Sequence, residues 1–235
     1  MRKLLFLALT VVFQNQAQTE LYDNLLKKHV SEDGFVNYPA MVKDKAKLDC
    51  YINYLSETTP KNSWSIQKKK AFWINTYNAY TLQLVLKNYP LKSIKEITKK
   101  EETIWKAPFI TVGRTTYTLE HIEHEILRKT LFDPKIHVAV NCASKSCPKL
   151  ANFAFTEANI EKELERLMKE FINDKTKNKL SFQKIQISSI FKWFQQDFTK
   201  KGSVIDYIHT YSKTPVKPNA KIVYLAYDWS LNEKK

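Results

Sequence analysis

The segment AFWINTYNAYTLQLVL, residues 71–86, constrains the fold more than any other stretch of the sequence. Its apolar residues occupy almost every side of a helix rather than a single stripe, and Pro90 stops the run. A helix that is apolar all round is stable in water only when other elements cover it. We therefore predict a buried central helix from Ser65 to about Asn88, with the rest of the chain packed around it.

Residues 1–17 have the composition of a secretory signal peptide. Arg2 and Lys3 precede an apolar run, which ends at Phe13, and a short polar stretch then leads to Ala17. The run is shorter than the roughly 18 apolar residues that a membrane helix needs, and no later segment reaches that length. We predict cleavage near Ala17, export to the periplasm or beyond the cell, and a single domain over residues 18–235 with no transmembrane segment.

The composition excludes several classes of protein. Hydrophobic residues make up 43% of the chain and aromatic residues 13%, which excludes a disordered chain. Only three glycines are present, which argues against a glycine-rich nucleotide loop, and no cofactor motif is found. The net charge of +14 is compatible with a solvated basic surface or with an anionic partner in the cell envelope, and predicted export argues against nucleic acid.

The local patterns predict mostly helices with a few short strands. Helices are predicted over 20–29 (capped by Thr19), 41–55, 65–88, 119–131 (capped by Thr118), 157–172, 189–198 and 204–211. A hairpin is predicted over 109–119, turning at Gly113-Arg114, and further strands over 135–141, 180–182, 184–188 and 221–227. This mixture predicts an α+β fold with a small mixed or antiparallel sheet.

The stretch HVAVNCASKSCPKL, residues 137–150, raises the main chemical question. Cys142 and Cys147 could form a disulfide in an oxidising compartment, or Cys142 could be a free nucleophile. A zinc site is a weaker reading, because it needs three or four ligands and only His124 and His137 are available nearby. Cys50 falls in a helical pattern and is expected to be a buried, inert thiol.

Strand geometry limits how a histidine could assist Cys142. If residues 136–142 form one strand, His137 and Cys142 are about 17 Å apart along it and point to opposite faces. His137 could not then be the direct base unless the strand ends early. His124, on the preceding helix, is the better candidate partner.

Several polar residues could line a pocket or serve a structural purpose. Asn75 and Asn78 are three apart on the central helix, and they either bind loop backbone from inside the core or orient a substrate. The segment LEHIEHEILR lacks the His-Glu-x-x-His spacing of zinc proteases, so surface ion pairs are its default reading. Asp228, in YDWSLN, follows an apolar strand, where functional polar groups are common.

Five motifs together resemble the family known as domain of unknown function 547. They are AFWINTYNAYTL, TLEHIEHEILR, IHVAVNCASKSCPKL, SSIFKWFQQDF and YDWSLN, and they extend over roughly residues 60–232. The resemblance implies an exported folded domain and supplies no activity. It also draws attention to the residues of this chain that fall at matching positions of the family's motifs: Asn75, Asn78, Glu123, His124, Arg128, His137, Cys142, Ser146, Cys147 and Pro148.

A more distant likeness is to the papain and transglutaminase architecture, where a nucleophilic cysteine heads a central helix. Here that helix carries WINTYN and no cysteine, so Cys142 would have to act from another direction.

Three hypotheses about function follow. The first is a thiol-dependent acyl or amide hydrolase or transferase that acts on a small substrate. Its candidate catalytic residues are Cys142, His124, His137 and Asn75. Its candidate substrate-binding residues are Asn78, Glu123, Arg128, Ser146 and Asp228. The second is a non-catalytic envelope-binding module with a Cys142–Cys147 disulfide and a basic surface for anionic glycan. The third is a metal-dependent hydrolase.

Overall fold

A computed structural model describes residues 2–99 and 102–234, with side chains for residues 16–97 and 103–234. The fold is α+β, as predicted. The α-helices are α1 Arg2–His29, α2 Tyr38–Lys43, α3 Lys45–Glu57, α4 Ile66–Asn88, α5 Ile160–Asn173, α6 Ile190–Trp193, α7 Gln195–Phe198 and α8 Val204–Tyr211. The strands are β1 Thr98–Lys99, β2 Glu102–Thr103, β3 Ile110–Val112, β4 Thr115–Tyr117, β5 Lys179–Leu180, β6 Lys184–Ile187 and β7 Lys221–Tyr224. A π-helix covers His121–Thr130, and 3-10 helices cover Ile94–Glu96, Ile104–Lys106 and Pro134–Val138.

Helix α4 is the buried central helix that the sequence predicted. The hydroxyl of Ser65 accepts a hydrogen bond from the backbone N–H of Lys68 at 3.1 Å and so caps its start. Every residue from Lys70 to Leu86 is buried, polar ones included. Helices α2, α3 and α5 and the π-helix pack around α4, and its buried side chains join one continuous hydrophobic core.

The short strands form separate small sheets. Strands β3 and β4 form the predicted hairpin, and its turn residues Gly113 and Arg114 both have positive φ, 53° and 69°, as a type I′ turn requires. Strand β6 pairs antiparallel with β5 and parallel with β7, so the larger sheet is mixed.

Several local predictions were wrong. Thr19 does not cap the start of a helix, because α1 already begins at Arg2. The side chains of residues 1–15 are outside the described part of the chain. The predicted 41–55 helix is broken at Asp44 into α2 and α3. Cys50 is exposed on α3 rather than buried.

The largest error concerns the predicted strand at 135–141, which is the 3-10 helix Pro134–Val138. The Asp133 carboxylate accepts a hydrogen bond from the backbone N–H of Lys135 at 3.0 Å, and Pro134 occupies the first turn. This Asp-Pro start favours a helical turn over an extended chain. The strand-based argument that placed His137 and Cys142 on opposite faces therefore does not apply.

No helix in the described part of the chain has the length and apolar character needed to cross a bilayer.

Candidate functional site

Helix α4 holds the backbone that leads to Cys142. The amide of Asn78 donates to the carbonyl of Ala139 at 2.8 Å and accepts from the N–H of Asn141 at 2.9 Å. Both groups are buried, so each bond satisfies a polar backbone atom that water cannot reach. Asn78 therefore acts on the loop backbone, which is the structural alternative that the sequence left open.

Asn141 closes the loop that contains both cysteines. Its side chain accepts from the N–H of Ala143 at 2.8 Å and donates to the carbonyl of Pro148 at 2.8 Å. Ala143 has φ of 56°, in the left-handed region that non-glycine residues rarely adopt. The chain thus reverses immediately after Cys142, and Asn141 holds both ends of the reversal. We name residues 141–148 the cysteine loop.

The C-terminal segment, residues 227–232, is hydrogen-bonded to the cysteine loop. The hydroxyl of Ser146 accepts from the N–H of Asp228 at 2.8 Å, and the N–H of Ser146 donates to the Asp228 carbonyl at 3.1 Å. The Asp228 carboxylate accepts from the N–H and hydroxyl of Ser230 at 2.9 and 2.6 Å. Ser146 and Asp228, which the sequence proposed as substrate-binding residues, therefore join these two segments.

Cys142 is a partly exposed residue, and its thiol is surrounded by hydrogen-bonding groups. Its sulfur lies 3.1 Å from the sulfur of Cys147, 3.1 Å from the hydroxyl of Ser144 and 3.4 Å from the hydroxyl of Tyr227. Hydrogen bonds from Cys147, Ser144 and Tyr227, and one from the Ser144 backbone, outweigh the opposing effect of burial and lower the pKa of Cys142 to about 7. Cys142 is therefore substantially ionised at neutral pH.

The neighbouring donors stay protonated. Burial and the adjacent Cys142 raise the pKa of Cys147 well above its usual value, and burial likewise raises the pKa of Tyr227. Cys142 is thus the thiolate of the pair, and Cys147 and Tyr227 are its donors.

The disulfide between Cys142 and Cys147, one of the alternatives that the sequence left open, is not formed in this structure. Both are free thiols, and their sulfur separation of 3.1 Å exceeds the bond length of about 2.05 Å. The backbone N–H of Cys142 also donates to the sulfur of Cys147 at 3.2 Å, so the two residues are in hydrogen-bonding contact without a covalent link.

A second polar cluster is centred on Asp197, at the end of α7. One carboxylate oxygen of Asp197 accepts from Arg128 Nε at 2.6 Å and from His137 Nε2 at 2.8 Å. Although burial opposes it, these two donors hold the pKa of Asp197 well below its usual range. Arg128 also donates from Nη1 to Nδ1 of His124 at 2.8 Å, so two histidines, an arginine and a carboxylate form one network.

The two histidines differ in accessibility. His137 is buried, its ring stacks on Phe194 with centroids 4.1 Å apart, and burial lowers its pKa despite the Asp197 carboxylate. His124 is partly exposed on the π-helix. The wider i→i+5 turn of a π-helix brings residues four or five apart onto one face, which is where Arg128 meets His124.

Glu123 is buried beside the same network. Its carboxylate accepts from the hydroxyl of Tyr77 at 3.1 Å, and burial raises its pKa although His124 and Arg128 lie close by. Burial, Glu123, Cys142 and Cys147 all raise the pKa of Tyr77. Tyr77, on α4, is therefore close to the thiol pair and is also bonded to Glu123, beside the Asp197 network.

Helix α6 is a second connection between the two clusters. Its last residue, Trp193, packs on the ring of Tyr227 with centroids 4.8 Å apart. The next residue, Phe194, stacks on His137 and has the guanidinium of Arg128 4.8 Å above its ring. Adjacent residues thus contact the tyrosine beside Cys142 and the network around Asp197.

The structure brings most of the predicted site residues together and leaves Asn75 apart. Glu123, His124, Arg128 and His137 belong to the Asp197 network or border it, whereas Ser146, Cys147 and Asp228 belong to the cysteine loop and its partner segment. Asn75 binds the N–H and carbonyl of Phe155 at 3.0 and 2.7 Å and lines a separate cavity of about 790 Å³. The described contacts of Cys142 include neither histidine.

Four participating residues were not selected from the sequence: Tyr77, Ser144, Asp197 and Tyr227. Asp197 and Tyr227 lie in the quoted motifs SSIFKWFQQDF and YDWSLN, so motif membership was the signal that could have found them. Their partners are 60 residues away in the case of Asp197 and 85 in the case of Tyr227, and local patterns do not report such contacts.

No group of three or more histidine, cysteine, aspartate or glutamate side chains in the described residues is arranged to hold a metal ion.

One family model matches the central part of the chain. Residues 61–172 match the model of the family described as protein of unknown function, DUF547, and this part of the chain belongs to it. The matched range contains α4, the π-helix and the cysteine loop, and the motifs around Asp197 and Tyr227 lie beyond it. No curated protein and no solved structure matches the chain, so the likeness to papain and transglutaminase remains a prediction.

Proposed function

We propose that this protein is an exported thiol-dependent acyl or amide hydrolase or transferase in which Cys142 is the nucleophile. One observation carries the proposal: the thiol of the partly exposed residue Cys142 has Cys147, Ser144 and Tyr227 as hydrogen-bonding neighbours and a pKa lowered to about 7. A structural thiol needs no such surroundings, whereas a nucleophile must be ionised at working pH.

The reaction that fits these groups is acyl transfer through a thioester. The Cys142 thiolate attacks the carbonyl carbon of an ester or amide, a C–S bond forms, and the C–O or C–N bond to the leaving group breaks. The leaving alcohol or amine takes a proton from a neighbouring acid, and Tyr227 and Cys147 are protonated donors beside the sulfur. Water or an acceptor alcohol or amine then attacks the thioester, which restores the thiolate and returns the proton.

The two histidines have different roles in this proposal. His137 is buried and bound to Asp197, so we assign it the positioning of α7 and the loop that follows Asp133. His124 is partly exposed, and Arg128 occupies its Nδ1. Its Nε2 has no hydrogen bond within the described residues and is available for proton exchange with a bound substrate.

The envelope-binding alternative included a Cys142–Cys147 disulfide, and both thiols are free in this structure. Its basic surface for anionic glycan does not depend on that link. The metal-dependent alternative has no support from a ligand cluster in the described part of the chain.

The test is acylation of Cys142 by a p-nitrophenyl ester. We expect a burst of p-nitrophenolate equal to the protein concentration and a thioester on Cys142, located by peptide mass. Cys142→Ala should abolish the burst with little change in thermal midpoint, and Cys50→Ala, which removes an exposed thiol, should leave the burst intact. An equal burst from Cys142→Ala would overturn the proposal.

A further inference from the structure

Four aromatic side chains form a continuous strip that begins at the thiol site. The rings of Trp193 and Tyr227 are 4.8 Å apart, those of Tyr227 and Trp229 4.6 Å, and those of Trp229 and Trp105 5.8 Å, between centroids. We name Trp105, Trp193, Tyr227 and Trp229 the aromatic strip. They come from three segments that are distant in sequence, so the strip is a product of the tertiary fold.

The strip is open to solvent. Trp193 is 49% exposed and the other three rings are half-buried. Exposing large rings in contact with one another leaves apolar area in water that folding could have covered, and such patches on soluble proteins commonly mark binding sites.

The strip is also held in place and joined to the site. The hydroxyl of Ser93 donates to the carbonyl of Trp229 at 2.7 Å, and the hydroxyl of Tyr227 contacts Ser144 and Cys142 at 3.0 and 3.4 Å. One member of the strip therefore touches the reacting sulfur. A ligand lying on the rings would present its groups to Cys142.

Positive charge borders the strip. The ammonium group of Lys95 lies 4.1 Å above the ring of Trp229, and exposed Lys145 lies on the cysteine loop, 3.9 Å from the carboxylate of its only described ion-pair partner, Asp228. The whole chain carries a net charge of +14. A ligand that stacks on the rings and carries acidic groups would meet both the apolar faces and these cations.

We propose that the aromatic strip binds an anionic glycan that carries the acyl or amide group attacked by Cys142. The inference rests on the proposed function for its chemistry, whereas binding to the strip can be tested separately. Flat C–H faces of sugar rings stack on Trp193 and Tyr227, and carboxylates or sulfates of the chain pair with Lys95. Nucleic acid also stacks on aromatic rings and pairs with lysine. Its backbone, however, is joined by phosphodiesters and carries no carboxylic ester or amide for the thiolate to attack.

In the corresponding reaction, the Cys142 thiolate forms a bond to the acyl carbon of a glycan O-acyl or N-acyl group. The bond between the acyl carbon and the sugar oxygen or nitrogen breaks, and that atom takes a proton from Tyr227 or Cys147. Water then attacks the thioester, releases the carboxylic acid, returns the proton to the donor and restores the Cys142 thiolate.

The experiment measures binding of partly acetylated polygalacturonate by the purified protein, from quenching of tryptophan fluorescence and from mobility in a gel that contains the polymer. Neutral dextran and a thymidine oligonucleotide are the comparison ligands. Trp193→Ala should weaken polygalacturonate binding about tenfold, the scale of an aromatic hot spot. Lys95→Ala should weaken binding and reduce its salt dependence.

Phe182→Ala is the matched control. Phe182 is 58% exposed and lies just before β6, at the end of the sheet where Lys184 pairs with Lys221. Tyr227 lies beyond the opposite end, where Ile187 pairs with Tyr224. The Phe182→Ala variant should therefore bind polygalacturonate like the unaltered protein. Equal effects of the Phe182 and Trp193 changes, or tight binding of the oligonucleotide without polygalacturonate, would overturn the proposal.

Measuring both glycan binding and thioester formation on the same protein distinguishes the two proposals. Binding that depends on Trp193, in a protein whose Cys142 fails to form a thioester, would keep the strip and reject the thiol chemistry. Thioester formation without Trp193-dependent binding would do the reverse.

Discussion

At the residue scale, the neighbour with the greatest influence on Cys142 is Cys147. Its hydrogen bond is the largest of the effects that lower the pKa of the Cys142 thiol. Because Cys147 is itself buried and protonated, it acts as a donor to the thiolate rather than as a second nucleophile. The pair is thus chemically asymmetric although both residues are cysteines.

We expect Cys147→Ala to raise the pKa of Cys142 from about 7 toward its usual value of 9.0, because the thiolate loses its strongest donor. The measurement is the pH dependence of Cys142 alkylation by iodoacetamide in a Cys50→Ala background. Cys147→Ser, which keeps a donor, should give a smaller rise. An unchanged midpoint in Cys147→Ala would show that Cys147 does not stabilise the thiolate.

Glu123 makes stability depend on pH in a direction opposite to that of most paired carboxylates. Burial raises its pKa above the usual 4.5, so the folded protein holds this proton to a higher pH than the unfolded chain does. Its contribution to the free energy of unfolding therefore falls as pH rises above 4.5 and levels off above the folded-state pKa.

We expect Glu123→Gln to flatten the decline in thermal midpoint as the pH rises above 4.5, since the amide has no proton to lose and can still accept from Tyr77. Thermal unfolding followed at several pH values measures this. The control is Glu125→Gln, at an exposed site where pairing with Lys129 lowers the carboxyl pKa. A slope in Glu123→Gln equal to that of the unaltered protein would contradict the assignment.

At the scale of elements, helix α4 positions the site without contributing a reacting group. Asn78 and Asn75 project from it and hold the backbone at Ala139, Asn141 and Phe155. A rigid buried helix is suited to this task, because its side chains are fixed by packing on all sides.

We expect Asn78→Ala to lower the free energy of unfolding by about 2 kcal/mol, because it leaves two buried backbone groups without partners. It should also slow alkylation of Cys142, since the cysteine loop loses its anchor. Chemical denaturation and thiol labelling measure the two effects. Asn88→Ala is the control: Asn88 is exposed, its amide bonds to the Leu84 carbonyl among the described residues, and its loss should have a much smaller effect on both.

At the scale of the whole molecule, the site combines segments from much of the chain. Residues of α4, the π-helix, the cysteine loop, α7 and the segment after β7 meet there. Away from the site, Tyr22 of α1 stacks on Tyr51 of α3 with ring centroids 4.4 Å apart. Helix α1 therefore contributes to the core through residues that follow the predicted cleavage point.

We expect the exported protein to begin near Gln18, as a signal peptide cleaved near Ala17 predicts. Intact mass and N-terminal sequencing of protein recovered from outside the cytoplasm measure this. Replacing Arg2 and Lys3 with glutamate should retain the protein in the cell, because the positive region before the apolar run is lost. Recovery of unprocessed protein outside the cell would reject the signal peptide.

A protein that begins at residue 18 should unfold at nearly the same temperature as the full chain. Among the residues of α1 whose side chains are described, Tyr22, Leu25 and Leu26 are buried in the hydrophobic core, and all three remain in this shorter protein.

The sequence by itself determined the central helix, the β3–β4 hairpin and the α+β class. Each depends on interactions between neighbours in the chain: a capping serine at Ser65, a glycine in a tight turn and apolar residues at helical spacing. It also identified most of the residues that gather at the site, through motifs that resemble a known family.

The tertiary structure alone decided how those residues meet. The sequence predicted a strand before Cys142, where Asp133 and Pro134 start a helical turn instead. It could not reveal that Tyr227 and Cys147 would surround the Cys142 sulfur, or that Asp197 would join Arg128 and His137. Hydrogen bonds and desolvation depend on distances in space, and a pKa set by residues up to 85 positions apart has no counterpart in local sequence.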